Sequence, residues 1–77
     1  MDFYVSPLDS FATGATSWLV TRRDGAPENG VAVCATRGEA VARATLMSRY
    51  QHSCGYASRV LLRVDPTYAW EVVWSGD

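Results

Sequence analysis

The residues able to do chemistry are few, and their spacing restricts what they could do. His52 is the single histidine and stands two positions before Cys54; Cys34 is the other cysteine. Together they could offer three zinc ligands. A structural zinc site takes four, supplied in short paired spacings, and the chain has no C-x-x-C. No metal and no cofactor is therefore expected. A thiol nucleophile is the sharpest catalytic option. It needs a thiolate, which a neighbouring imidazolium or a helix N-terminus favours. Cys34 precedes Thr36, the expected N-cap of a helix, by two residues and so comes near that positive end. Cys54 falls at the opposite end, where the helix dipole suppresses a thiolate. Against catalysis at Cys34 stands its expected place in a strand, packed in or beneath a sheet. There is no nucleophile elbow and no Gly-rich phosphate loop, and Asp65 and Glu71 read as turn and strand-surface carboxylates.

The arginines and aromatics offer binding chemistry instead. All seven basic residues are Arg, set against eight acidic residues for a formal net charge of −1. That balance gives no global attraction to nucleic acid or to an anionic membrane. Arg22, Arg23, Arg59 and Arg63 fall on or beside expected strands. With Trp18 and the Tyr residues they could build a sheet face for phosphate contact and base stacking. The near-neutral balance argues against it, because basic enrichment is the usual footprint. Trp, Tyr and Arg also dominate protein interfaces. The last hairpin brings Arg59, Leu61, Arg63, Tyr68 and Trp74 together, with Leu61 expected on a wet face between two Arg. These five residues are the expected partner-binding set. Trp70 and Trp74 are expected to share a face with Val72 and either to pack under the helix against Ala40, Ala44 and Met47 or to offer part of that face, or an open edge beside it, as a protein contact.

The elements that position these residues read as follows. Phe3–Ser6 is a first strand closed by Pro7, expected at a sheet edge because Pro cannot donate to a ladder. Residues 8–16 read as a loop and 17–22 as a second strand. Asp24-Gly25, Pro27, Asn29 and Gly30 signal turns. Residues 31–35 form a third strand with Val31, Val33 and Ala35 on one face. Thr36 and Glu39 have the spacing of a capping box that opens a helix over about 37–53. Ala40, Ala44, Met47 and Gln51 make its sheet-facing line, flanked by Val41, Tyr50 and Cys54. Gly55 is placed to cap its end. Residues 58–64 and 68–74 alternate on either side of Asp65-Pro66-Thr67 and read as an antiparallel hairpin. The fold class is α+β: an antiparallel sheet with one helix packed on a face, in the order βββαββ.

Tyr4-x-x-Pro7, Trp18-x-Val20, Thr36-x-x-Glu39-Ala40-x-x-x-Ala44 and the alternating final strands resemble a family of short bacterial proteins of unknown function. Its members read roughly Y-x-V-x-P, W-x-V and T-x-x-E-A, with an Ala-rich helix and a closing hairpin. The chain departs from that pattern in a longer loop after Pro7, an added Pro-Glu-Asn-Gly turn and an Asp-Pro-Thr-Tyr final turn. The resemblance implies a compact α+β fold and carries over no catalytic residue.

At 77 residues, 48% of them apolar, the chain is expected to form a single domain over 1–77 with one core. Two cysteines do not make a disulfide scaffold. Met1-Asp2-Phe3-Tyr4 enters a strand rather than a signal segment, and no apolar run approaches the roughly 18 residues of a membrane span. A cytoplasmic protein with reduced thiols is expected. The residues point first to a small non-enzymatic binding module for protein contact or self-association, including a homodimer. A nucleic-acid-binding domain comes second and a thiol-dependent enzyme at Cys34 third.

Overall fold

The computed structural model describes residues 1–9, 14–22, 30–64 and 69–76. Among them are strands β1 (Asp2–Asp9), β2 (Thr16–Arg22) and β3 (Gly30–Cys34), helix α1 (Arg37–Ser53), and strands β4 (Ser58–Val64) and β5 (Ala69–Gly76). The expected turns at 24–29 and 65–67 lie outside the described residues, as do Arg23 and Tyr68.

The α+β class and the element order match expectation, but the sheet is mixed. Its strand order is β3-β2-β1-β4-β5, with β1 and β4 parallel and the other neighbours antiparallel. The cause is the crossover. Two antiparallel steps leave β3 running in the direction of β1, and α1 carries the chain back along one face of the sheet. The strand after the helix must therefore run as β3 did. It lands beside β1, whose second edge was still open.

This makes β1 the middle strand rather than an edge. Pro7 is accommodated because the parallel ladder covers only Asp2–Val5, paired with Arg59–Leu62. From Ser6 onward β1 has a ladder to β2 alone, and Pro7 pairs opposite Trp18. A residue with no N–H to give is tolerable where one side carries no ladder.

The register assigns the faces. Phe3 and Val5 lie beside Val60 and Leu62, and Val5 lies beside Val20. These side chains pack against Ala40 and Ala44 of α1, with Cys34 in the same cluster. Trp18, Ala32, Val41, Met47 and Trp74 close around it, each only partly buried. Tyr4, Leu61 and Arg63 fall on the opposite face.

Irregular pairing in both outer strands overturns two expected faces. Val60 pairs with Trp74 and Leu61 with Val72, so Val73 is an extra residue and β5 bulges there. The bulge breaks the two-residue period. Trp74 stays on the helix side, while Trp70 pairs with Arg63 on the other face. In β3, Val20 pairs with Ala32 and Thr21 with Gly30, leaving Val31 as the extra residue. Val31 and Val33 therefore do not share a face as expected.

The helix begins and ends where its signals stand. Thr36 has extended backbone (φ −128°, ψ 156°), its Oγ1 accepts from the Glu39 amide at 3.2 Å, and its carbonyl accepts from the Ala40 amide at 3.1 Å. At the other end the Gly55 amide reaches the His52 carbonyl at 3.0 Å and the Tyr56 amide reaches the Gln51 carbonyl at 3.1 Å, with Gly55 at φ +94°. That pair of bonds is the Schellman arrangement, and the positive φ is why glycine stands there. The buried line of the helix is Ala40, Ala44 and Ser48. Ser48 replaces Met47 at its centre because the Ser58 hydroxyl on β4 meets it, and Ser58 in turn bonds the Met1 carbonyl. Met47 and Gln51 are displaced to the flank, half-buried.

Candidate functional site

The thiols and the histidine do not converge. Cys34 is buried in the core cluster, Cys54 is exposed at the helix C-cap, and neither is in a disulfide. They stand beyond opposite ends of a 17-residue helix, which at 1.5 Å per residue is roughly 25 Å long. No single ion could bridge them. His52 lies in the last turn, exposed, with its ring 6.4 Å from that of Trp74 in an edge-on arrangement. Among the described residues no three His, Cys, Asp or Glu side chains could hold a metal.

The expected hairpin surface is rearranged. Arg59 lies against Asp2, with its Nη2 donating to a carboxylate oxygen at 2.7 Å. The hydrogen bond from Arg59 holds the Asp2 carboxyl below its ordinary pKa of 3.8, with the attraction of the two charges adding to it and partial burial opposing it. Arg63 lies over the Trp70 ring at 4.9 Å, and Tyr4 meets the same ring edge-on at 4.9 Å. This three-part stack occupies the face away from the helix. Leu61 sits there too, but buried at 8% exposure rather than offered to solvent between the two Arg. Trp74 is on the other face because of the Val73 bulge, and Tyr68 is outside the described residues. Of the five expected contact residues, Arg59, Leu61 and Arg63 share a face, and Trp74 does not join them.

The Arg-plus-aromatic face considered for nucleic acid is divided in the same way. Trp18 packs on the helix-side core, and Arg22, paired opposite Phe3, also lies on the helix side. Arg59 and Arg63 are across the sheet.

A different surface emerges from the dimensions of the two layers. Five strands at about 4.8 Å spacing span roughly 19 Å, and one helix with side chains covers about 10–12 Å. The helix sits over the middle of the sheet, so a flank remains. A groove of about 380 Å³ opens there. Phe3 forms its floor. Leu46, Met47, Tyr50 and Gln51 of α1 form one wall, and Arg22 with the bulged Val31 faces them, next to Met1. Val31 reaches this side because of the irregular pairing after Gly30. The rim is apolar and wet: Leu46 is 68% and Tyr50 67% exposed. Leu46 was not singled out from the sequence. The available signal was the Leu46–Tyr50 pair, spaced four apart and off the Ala40–Ala44 line, which gives the helix a second apolar stripe.

No protein family, no curated protein and no solved structure matches this chain.

Proposed function

We propose that this protein is a small non-enzymatic binding module that contacts a protein partner through the groove between α1 and the β1–β2–β3 side of the sheet. One observation carries the reading. Of the nine exposed large apolar side chains among the described residues, four, Met1, Val31, Leu46 and Tyr50, converge on this one groove. Contiguous exposed apolar surface marks interaction sites, whereas single exposed apolar residues need no explanation. Wetting Leu46 and Tyr50 forfeits burial worth about 1.5–3 kcal/mol for each large side chain, and a partner that covers them recovers it.

A photo-reactive amino acid placed at position 46 tests this in cells. It is expected to give a discrete cross-linked adduct. The same probe at Tyr56, equally wet at 63% but off the groove, is expected to give none. An adduct at twice the chain mass would identify the partner as a second copy. Cross-linking from position 56 with none from position 46 would sink the reading.

A further inference from the structure

We infer that the segment this groove accepts pairs a bulky apolar side chain with an Asp or Glu carboxylate, an inference that rests on the groove being the contact site. Among the described residues, Arg22 is the charged side chain of the groove lining, and no acid lines it. Arg43 adds a second cation. It precedes Leu46 by three, Met47 by four and Tyr50 by seven residues, so it lies on the same side of α1 one turn toward the N-terminus. Both arginines are exposed, and neither forms an ion pair with a described residue. Glu39 lies a further turn away from the groove, and it too is outside ion-pair reach of Arg43. The chain as a whole is slightly acidic, so this pair of cations beside an apolar cleft is a local feature.

Desolvation decides the chemistry of the occupant. A purely apolar partner that covered the groove would strip water from Arg22 and return no counter-charge, which is heavily unfavourable. A carboxylate answers it with charge-assisted hydrogen bonds, and guanidinium geometry suits two at once. The occupant is a polypeptide segment rather than a free small molecule because the groove is open. Leu46 and Tyr50 project from its rim, and a ligand seated between the walls would leave them wet.

Selection from short random peptides, displayed with their C-termini fused so that only side-chain carboxylates are offered, tests the inference. Wild type is expected to enrich Asp or Glu beside Leu, Ile, Phe or Trp. The Arg22→Glu, Arg43→Glu double variant is expected to enrich Lys or Arg beside the same apolar residues. A synthetic consensus peptide is expected to lose about tenfold in affinity when its acid becomes the amide, and again on Arg22→Glu. Leu46→Asp, at a position too exposed to harm folding, is expected to abolish both selections. Enriched peptides that lack acids, or acids that survive the charge reversal, overturn the inference; the groove reading still stands if Leu46→Asp abolishes that binding. Peptides that bind Leu46→Asp unchanged remove both. Failure of wild type to enrich any peptide overturns the inference, whether or not it sediments with phosphatidylglycerol vesicles; sedimentation would assign the cations to lipid.

Discussion

Single positions in this fold answer for contacts that can be named. Thr36 accepts the Glu39 amide, yet the return bond from the Glu39 carboxylate is absent among the described residues, so half of the capping box operates. Thr36→Ala is expected to cost about 1 kcal/mol in urea unfolding, and no measurable change would show that the cap is idle. Ser48 and Ser58 make a sharper test because their protons are ordered. Ser58 has one hydroxyl proton and gives it to the Met1 carbonyl, so Ser48 must donate to Ser58. Ser58→Ala orphans a buried donor and an acceptor and is expected to cost about 1–3 kcal/mol. Ser48→Ala leaves the Ser58 bond intact and should cost less; the reverse ranking would refute this proton order. Asp2 and Arg59 are 26% and 49% exposed at the side chain, so solvent screening limits their pair to at most about 1 kcal/mol. The Asp2 pKa is depressed in the folded state. The pair's contribution is therefore present above the ordinary carboxylate value and is lost as pH falls through the lower folded value. Asp2→Asn should flatten that acid limb of the stability curve by lowering neutral stability by at most about 1 kcal/mol, with stability below the folded value nearly unchanged.

The ends of α1 and the existence of each element could be read from the sequence, because caps, Gly55 and alternating strands act locally. The parallel β1–β4 pairing could not. Period-two patterns say which residues share a face within a strand and are silent about the neighbouring strand. The bulge at Val73 was equally hidden, since Trp70, Val72 and Trp74 fit a regular strand just as well. Its consequence was to send the two tryptophans to opposite faces, which is why Trp74 left the expected contact set. Deleting Val73 should straighten β5 while keeping Val72 opposite Leu61 and Trp74 opposite Val60. Deleting Glu71 should instead force Trp70 out of its stack with Tyr4 and Arg63. Near-UV circular dichroism is expected to survive the first deletion and change markedly with the second. A large change on deleting Val73 would mean that the bulge itself shapes the sheet. Ala44, fully buried, sets the distance between layers. Ala44→Leu should cost about 1–3 kcal/mol by overpacking, and a neutral result would mean that the helix can ride higher on the sheet.

Across the whole molecule, the placement of the buried side chains decides how stability is shared. Among the described residues the largest fully buried side chains are the valines Val5, Val20 and Val60; the tryptophans that surround them are only partly covered. Phe3, the one buried aromatic of the core cluster among the described residues, stands with Val5 on β1, so stability rests on β1 holding the two halves of the sheet together. Val5 is central to that role. It pairs with Val20 on one side and Leu62 on the other, and it packs in the cluster with Ala40 and Ala44. The strands it joins are far apart in sequence, as the Asp2–Arg59 contact across 57 residues shows. Neither β1–β2–β3 nor β4–β5 encloses a core alone, and a short chain has little surplus stability with which to hold one half folded. Val5→Ala removes two buried methyl groups and is expected to cost about 2–3 kcal/mol. The loss should appear as one shifted transition, with tryptophan fluorescence and far-UV circular dichroism keeping a common midpoint. If the two signals separate, the halves of the sheet fold independently, and β1 does not couple them.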